Sequence, residues 1–407
     1  MNLQEESIIL HKEYQGKLAT HIKVPLNDKH DLSVAYTPGV AAPCLEIQKN
    51  EDLSFDLTCR GNMIAVLTDG TRVLGLGDIG PAAAIPVMEG KAILFKKFAD
   101  IDAVPVCLDT KDAEEFIKTA KFLEKNFAGI NLEDISSPKC YDIEDRLKEE
   151  MNIPVFHDDQ HGTAIAALSA LIGALKLADK KIENCKIIVN GAGAAGTAIA
   201  RLIIKAGCKN LISVDRFGAI YNGMNNLNRV QQLLAKESNP FMIKGDLASA
   251  VKKADVLIGV SVAGAFTADI IRSMAEKPIV LALANPEPEC YYNDAKSAGA
   301  LVAGTGRSDT PNQVNNVMVF PGIFRGAIDV RASKINDEMK IAAANAISNL
   351  VNDNELKDDY VIPDPFDKRI VPEVASAVAR EAIKTGVARI KIDPVIIKEN
   401  TIKRLNK

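Results

Sequence analysis

Apolar and polar positions follow two different patterns along the chain. Before about residue 160, short apolar runs are separated by turn signals. Two of these runs, residues 63–67 (MIAVL) and 73–76, flank an Asp-Gly turn, which predicts a β-hairpin. Residues 104–108 predict a strand, and residues 112–126 carry apolar side chains at helical spacing.

After residue 162 the pattern changes to alternating helices and strands. The predicted strands are residues 186–190, 210–215, 254–260, 278–284 and 300–303. Such apolar strands, separated by helices, are typical of a parallel sheet that is covered on both faces. We therefore predict an α/β protein with two domains. An N-terminal α/β domain spans residues 1–160, and a Rossmann-type, doubly wound parallel sheet with C-terminal helices spans residues 161–407.

Composition narrows the classes of function. The 407 residues include 49 Lys and Arg against 53 Asp and Glu, and no Trp. This balance argues against a protein that binds nucleic acid through phosphate neutralisation or base stacking. The apolar stretch 162–175 is shorter than the roughly 20 residues that span a bilayer, so it predicts a buried helix and no membrane partner. Seven scattered cysteines and a polar, acidic N-terminus favour a cytoplasmic location.

A glycine-rich loop follows the predicted strand 186–190. Its sequence, GAGAAG, comprises Gly191, Ala192, Gly193, Ala194, Ala195 and Gly196. It opens a helix of small residues, and Asp215 ends the next strand, so the context of a dinucleotide-binding fingerprint is complete. A tight turn without a ligand is the alternative interpretation, and the context favours the dinucleotide.

The choice between NAD and NADP depends on two neighbouring residues. The carboxylate of Asp215 suits the ribose 2′-hydroxyl of NAD, whereas Arg216 suits the 2′-phosphate of NADP. We expect NAD, with NADP still possible. A second match to the glycine pattern, GLGDIG at residues 75–80, follows the predicted hairpin and lacks a strand–helix–strand context. We interpret it as a loop of the first domain near the active site.

Carboxylates are concentrated at two places in the first domain. Glu133 and Asp134 end an apolar stretch, and Asp158 and Asp159 lie in PVFHDDQHG at residues 154–162. Buried acids require a partner charge or a metal, and oxygen ligands favour Mg²⁺ or Mn²⁺.

Two other interpretations of these segments stay open. The acids are also compatible with helix caps and solvated loop charges, and His157 and His161 with a zinc pair. Lys91, beside a glycine and before an apolar run, is a candidate base if it is neutral, although most such lysines are surface cations.

Taken together, these segments resemble the malic enzymes, in particular the short bacterial form. The resemblance covers most of the chain, and its motifs occur in one order. They are YTPGVA (36–41), LTDGTRVLGLGDIG (67–80), MEGKAILFKKFADIDAVPV (88–106), NLEDISSPKC (131–140), PVFHDDQHGTAIA (154–166), GAGAAGTAIA (191–200), ALANPEPE (282–289) and GTGRSDTPNQVNNVMVFPGIFRGAID (304–329).

The resemblance implies a role for each matching residue. Glu133, Asp134 and Asp159 would bind the metal, so residues 1–160 would form the substrate and metal domain. Lys91 would be the general base and would also contact substrate, and Tyr36 would be the general acid.

The same resemblance extends to substrate and cofactor contacts. It implies that Arg72 binds a malate carboxylate and that Asp158 hydrogen-bonds the base. Asn285 and Asn316 would contact substrate, and Asn285 and Asn315 would contact the nicotinamide end of the cofactor.

The activity that this resemblance implies is oxidative decarboxylation of L-malate to pyruvate and CO₂, with reduction of NAD(P)⁺ in the presence of Mg²⁺ or Mn²⁺. Lys91, as a neutral amine, would take the C2 hydroxyl proton, and Tyr36 would protonate C3. The family also implies a homodimer. Two alternatives are a malolactic enzyme that releases lactate and a non-catalytic Rossmann protein that senses NAD.

Overall fold

Two β-sheets, each covered by helices, form the framework of the computed structural model, which describes residues 2–406. The strands are β1 (Met63–Thr68), β2 (Asp102–Cys107), β3 (Gly129–Leu132), β4 (Val155–His157), β5 (Lys186–Asn190), β6 (Asn210–Asp215), β7 (Gly218–Ala219), β8 (Val256–Gly259), β9 (Ile279–Ala282) and β10 (Val302–Thr305). The helices are α1 (Leu3–Tyr14), α2 (Lys29–Ala35), α3 (Ala41–Lys49), α4 (Ser54–Leu57), α5 (Gly80–Ala99), α6 (Ala113–Leu123), α7 (Lys139–Glu150), α8 (Asp158–Ala178), α9 (Ala194–Lys205), α10 (Arg229–Glu237), α11 (Leu247–Val251), α12 (Ala268–Arg272), α13 (Tyr292–Ser297), α14 (Phe320–Asp329), α15 (Asp337–Ser348), α16 (Ile370–Lys384) and α17 (Pro394–Leu405).

The first sheet is parallel, with the strand order β2-β1-β3-β4. The predicted hairpin is therefore wrong. β1 pairs with β2 on one side and β3 on the other, so no edge is left for an antiparallel partner. Residues 73–77 instead form a turn closed by one bridge between Val73 and Gly77. An unbroken apolar run such as MIAVL fits a strand that is buried on both faces better than a hairpin arm.

The loop at residues 75–80 does lie between a parallel strand and a helix, because β1, α5 and β2 form a strand–helix–strand unit. The reason given for rejecting it as a dinucleotide loop is therefore wrong. The two glycine loops differ in their distance from the preceding strand. Residues 69–74 separate GLGDIG from β1, whereas GAGAAG follows β5 directly. Gly75 approaches the ring of Pro286, so this loop reaches across to the second domain.

The second sheet has the order β10-β9-β8-β5-β6-β7, parallel except for the short edge strand β7. Its first strand, β5, is central, and the chain moves outward to β6 before returning to β8 on the other side. This reversal is the switch point of a doubly wound fold, where ligands bind at the carboxyl ends of the strands. The predicted α/β class and Rossmann-type sheet are confirmed.

Helix α8 connects the two sheets and is almost entirely buried, as predicted for residues 162–175. By length and composition it could cross a membrane, but 72% of an apolar 18-residue stretch within it is buried inside the protein. The predicted domain boundary at residue 160 falls within this helix and stays a prediction. Helices α14 and α17 pack against α5, with Phe320 and Phe324 in contact with Phe95, so the C-terminal helices return to the first domain.

Candidate active site

Lys91 lies in a buried cluster built from three elements. Helix α5 supplies the lysine, the turn after β3 supplies Glu133, and the first turn of α8 supplies Asp158. The ammonium Nζ is 2.6 Å from Asp158 Oδ2 and 2.9 Å from Glu133 Oε1. It also lies 4.3 Å from the centre of the Phe320 ring. The parallel sheet brings the ends of β3 and β4 together, which explains why carboxylates 25 residues apart in sequence meet.

Asp134 and Asp159 form the second half of the carboxylate cluster. The backbone N–H of Asp134 donates to Asp159 Oδ2 at 2.8 Å. Asp134 has a φ of 54°, a left-handed conformation that is uncommon for a residue with a side chain. The N–H of Arg72 donates to its carbonyl at 3.0 Å and helps to hold this conformation. Backbone strain of this kind concentrates at functional sites.

The cluster holds more negative charge than Lys91 balances. Burial, opposed in part by Lys91 and reinforced by the neighbouring carboxylates, raises the pKa of Glu133 well above its usual value. Burial and the charge of Asp159 raise the pKa of Asp134 to about 7. Burial, partly offset by Lys91, also raises the pKa of Asp158.

Lys91 itself is held as a cation. Burial alone would lower its pKa, but the charges of Asp158 and Glu133 outweigh that effect and raise the pKa above its usual value. The expected neutral lysine therefore requires that the charge of these carboxylates first be neutralised, for example by a metal cation. The physical reason is that the lysine is the cation nearest to several buried carboxylates.

The donor set fits a hard divalent cation. Asp134 Oδ2 and Asp158 Oδ1 are buried and have no hydrogen-bond partner among the described residues. Carboxylate oxygens that are buried, unsatisfied and mutually repelling are stabilised by such a cation. No three carboxylate, imidazole or thiol groups of residues 2–406 already form a ready-made coordination shell. Glu133 and Asp159 instead bond to Lys91 and His157, so binding requires these side chains to turn.

The two histidines of this segment lie in separate networks. His157 Nε2 is 3.2 Å from Asp159 Oδ2, whereas His161 Nε2 is 2.9 Å from a Glu144 carboxylate oxygen. Lys148 and Lys340 also approach His161, each at 3.2 Å. Burial lowers the pKa of His161 to about 3 despite the attraction of Glu144. Flanking ammonium groups oppose a cation, so the zinc-pair interpretation does not fit.

Glu144 on α7 forms hydrogen bonds with residues at the start of α8. Its carboxylate is buried and accepts from the His157 N–H at 3.2 Å and from the Gln160 amide at 3.0 Å, and it pairs with Lys148 at 2.5 Å. Burial would raise its pKa, but His161 and Lys148 hold the pKa well below the usual value. This network fixes the turn that carries Asp158 and Asp159.

The GAGAAG loop at residues 191–196 has the geometry of a pyrophosphate-binding loop. Gly191 has a φ of +107°, and a Cβ there would lie 2.5 Å from the Val260 carbonyl oxygen. At Gly196 a Cβ would lie 1.8 Å from the Gly191 carbonyl oxygen, which shows how closely helix α9 packs on the loop. Nothing lies within 4 Å of the Cβ position at Gly193, which leaves room for a ligand beside the N-terminus of α9.

Asp215 ends β6 beside this loop and is held in place. Gln231 Nε2 donates to Asp215 Oδ2 and to the Ala192 carbonyl, both at 3.0 Å. The guanidinium of Arg216 lies 4.7 Å from the ring centre of Phe217, an exposed side chain. Gln231 therefore fixes the carboxylate and the glycine loop relative to each other.

The structure brings only some of the other predicted residues to the cluster. The Asn316 amide bonds to Asp158 Oδ2, and the Asn315 side chain caps the short turn that carries Asn316. Arg72 is exposed and lies near the cluster, because its N–H donates to the Asp134 carbonyl. Asn285 is also exposed, and its side chain lies near Gly306. Tyr36 is not brought to the cluster. It is 68% exposed, and its hydroxyl has no hydrogen-bond partner among residues 2–406.

Three positioning residues were missed by the sequence analysis. Asn131 donates to Glu133 Oε2 at 2.8 Å from a fully buried position, and Glu144 and Gln231 act as described above. A polar residue inside the apolar strand GINL was the only local signal for Asn131. Apart from Lys148, the partners of Glu144 lie 13 to 17 residues away, and Gln231 bonds to residues 16 and 39 positions away, so no local pattern indicates these contacts.

Comparison with known proteins covers both domains. The family described as "Malic enzyme, N-terminal domain" matches residues 15–148, and "Malic enzyme, NAD binding domain" matches residues 160–385. The chain is 56% identical over 404 residues to the bifunctional malic/malolactic enzyme of Bacillus subtilis (strain 168), covering 99% of this chain and 98% of that protein. It is 50% identical over 395 residues to the NAD-dependent malic enzyme of Geobacillus stearothermophilus, covering 97% and 82%. The crystal structure of malic enzyme from Pyrococcus horikoshii Ot3 superposes with a TM-score of 0.96 at 43% identity, covering 100% of this chain and 96% of that one.

Proposed function

The chain belongs to the malic enzyme family, and from that premise we propose that it oxidatively decarboxylates L-malate with a divalent metal at the Lys91 cluster. The products would be pyruvate, CO₂ and reduced NAD(P). One observation carries the proposal: two buried carboxylates contact Lys91 and two more, Asp134 and Asp159, lie next to them in the chain and bond to each other.

We infer that Glu133, Asp134 and Asp159 hold Mg²⁺ or Mn²⁺. When bound, a metal of this kind supplies Lewis-acid stabilisation for the negative charge that develops on the substrate as CO₂ leaves. What supports this assignment is the unsatisfied buried oxygen of Asp134 and the raised pKa of both Glu133 and Asp134.

Lys91 is proposed as the base that accepts the C2 hydroxyl proton of malate. It must first lose its own proton, and neutralisation of the carboxylates around it removes the charge that now opposes this loss. Asp158 keeps the amine oriented through Oδ2, and Asn316 holds the same oxygen. Arg72, whose N–H is bonded to Asp134, is placed to pair with a substrate carboxylate.

The nicotinamide cofactor would lie along the carboxyl ends of β5 and β8. The turn at Gly191 and the N-terminus of α9 bind its pyrophosphate, and Asp215 accepts from the adenosine ribose. A carboxylate at this position favours NAD over NADP, because it repels a 2′-phosphate. Asn285 and Asn315 are proposed to bind the nicotinamide end. The seven free thiols support a cytoplasmic location.

A malolactic activity is the second candidate, and the Bacillus subtilis relative, named a bifunctional malic/malolactic enzyme, favours it. Product analysis separates the two. With L-malate, Mn²⁺ and NAD⁺, we expect one pyruvate per reduced nicotinamide. Lactate without net cofactor reduction would support the malolactic reaction instead. Cofactor binding without either product would contradict both and leave an NAD-binding sensor.

A further inference from the structure

Glu289 is a fully buried carboxylate at the end of the ANPEPE segment (284–289), which follows β9. The residue is 0% exposed. The backbone N–H of Ser261 donates to its Oε1 at 2.6 Å, and the Ser261 hydroxyl donates to the same oxygen at 3.0 Å. The backbone N–H of Ala284 donates to Oε2 at 3.0 Å. A buried carboxylate is costly unless such bonds are kept, so Glu289 fixes the backbone at both Ser261 and Ala284.

The two backbone segments that Glu289 joins follow neighbouring parallel strands. Ser261 follows β8, and Ala284 follows β9. A third strand is attached through the Ser261 hydroxyl, which accepts from Asn190 Nδ2 at 2.8 Å. Asn190 is the last residue of β5 and directly precedes Gly191. One carboxylate thus connects the carboxyl ends of β5, β8 and β9, and this is the edge of the sheet at which ligands bind in a doubly wound fold.

The end of β8 has room for this carboxylate only because residue 259 is a glycine. A Cβ at Gly259 would lie 2.4 Å from Glu289 Cδ and 2.6 Å from the ring of Phe266. The Phe266 N–H in turn donates to the Glu289 backbone carbonyl at 3.1 Å. Backbone and side-chain contacts therefore hold Glu289 in one position.

We propose that Glu289 is a positioning residue for the nicotinamide end of the cofactor. The inference rests on the proposed function, in which Asn285 contacts that end and the GAGAAG loop binds the pyrophosphate. Glu289 holds the N–H of Ala284, the residue before Asn285, at a fixed place relative to Ser261. It sets the position of Asn285 in this way and does not itself touch the cofactor.

The pyrophosphate end depends less on Glu289, because the glycine loop has restraints of its own. The Gly191 N–H donates to the Val214 carbonyl at 2.8 Å, and Gln231 donates to a carbonyl of the loop at 3.0 Å. Asn285 is exposed, and Glu289 restrains the backbone directly before it. Loss of the Glu289 carboxylate should therefore disturb the nicotinamide contact and leave the pyrophosphate contact in place.

Glu289→Gln tests this role because it changes the hydrogen bonding and keeps the size of the side chain. Both carboxylate oxygens of Glu289 accept, whereas an amide has one acceptor oxygen and one NH₂ donor. In either orientation, the NH₂ group would face a backbone N–H, that of Ala284 or that of Ser261. At least one of the two segments must then shift to avoid the pairing of two donors.

The measurement compares the affinity for NADH with the affinity for ADP-ribose, which is the same molecule without the nicotinamide ring. Isothermal titration calorimetry of the purified protein gives both dissociation constants. We expect the preference for NADH over ADP-ribose to fall by about 5- to 10-fold in Glu289→Gln, which corresponds to one misplaced hydrogen bond. The affinity for ADP-ribose should stay close to that of the wild type. A general disturbance of the domain would instead weaken both ligands by the same factor.

Glu287→Gln is the matched control. Glu287 lies in the same segment, is exposed, and accepts from the Tyr291 hydroxyl. Its substitution should leave the preference for NADH unchanged. If Glu289→Gln does not fold, Ser261→Ala replaces it, because it removes the hydroxyl that links Glu289 to Asn190. The preference should then fall by a smaller factor.

A wild-type preference for NADH in the folded variant, or equal weakening of both ligands, would overturn the inference. Malate oxidation by the wild-type protein is measured separately. Its absence would reject the proposed function, whereas the two affinities would still test the role of Glu289.

Discussion

Replacing Gly162 by alanine tests the geometry of the site through a single methyl group. Gly162 lies in α8, one turn after Asp158. An added Cβ would lie 1.9 Å from Asp158 Oδ1 and 2.8 Å from its Cγ, where ordinary contact begins at about 3.4 Å. The carboxylate would have to move by about 1.5 Å, which would disturb the bonds of its other oxygen to Lys91 and Asn316.

The expected loss is in catalysis. Misplacing a catalytic group by about 1 Å costs on the order of 100-fold in rate, so we expect kcat for malate oxidation to fall by about 100-fold or more. Helix propensity acts in the opposite direction, because alanine is favoured over glycine within a helix by about 1 kcal/mol. Overpacking costs about 1–3 kcal/mol, so the net loss of stability should be modest.

Gly173→Ala on the same helix is the matched control. Its Cβ would lie 2.0 Å from the Val361 carbonyl oxygen, far from the carboxylates along α8. Because a backbone carbonyl yields less readily than a side-chain carboxylate, we expect a larger loss of thermal stability than in Gly162→Ala, with kcat of the folded protein nearly unchanged. Steady-state kinetics and thermal melts of both variants are sufficient. Wild-type kcat in Gly162→Ala, with the fold retained, would refute the proposed placement of Asp158.

Three further predictions concern the base, the cofactor and a buried lysine. Lys91→Ala should lower kcat by about 10²–10⁴-fold without weakening NAD binding, as measured by steady-state kinetics and titration of the cofactor. Asp215→Ser should reduce any preference for NAD over NADP in kcat/KM. An unchanged ratio would mean that residues other than Asp215 recognise the ribose 2′-hydroxyl. Burial lowers the pKa of Lys340 to about 8, against 10.5 for the unfolded chain, so unfolding takes up a proton between these values. The free energy of unfolding should therefore rise with pH from about 8 to 10.5, by on the order of 3 kcal/mol, and this rise should be absent in Lys340→Met when both are denatured with urea at several pH values.

Much of the fold follows from local patterns, and the exceptions have physical reasons. The apolar strands 186–190 and 210–215 and the glycine loop between them contain their own signals, and their bounds agree with β5 and β6. The Asp-Gly turn after β1 gave the same local signal as a hairpin, but pairing of β1 on both edges decided its role. Sequence indicates which partners are adjacent in the chain and not which ones meet in space.

The candidate site likewise combines features that local sequence predicts with features that depend on contacts in the folded chain. The acids and Lys91 were recognisable by residue type and by resemblance, and the parallel sheet brings them together. The charge state of Lys91 was not predictable, because it depends on the distances to Asp158 and Glu133. Nor were the hydrogen bonds of Gln231 predictable, because its partners Asp215 and Ala192 are 16 and 39 positions away in the sequence. Tyr36 lies outside the cluster and is 68% exposed, so its role as the acid rests on the resemblance alone.

The most direct test of the central claim is malate-dependent reduction of NAD⁺ by protein that has been stripped of metal with EDTA. The account predicts no reduction by the stripped protein and full recovery when Mn²⁺ is returned. Mn²⁺ should also raise the melting temperature of the wild-type protein, and that shift should be smaller in Asp134→Asn. Undiminished malate oxidation by the stripped protein would contradict the assignment of the carboxylate cluster as a metal site.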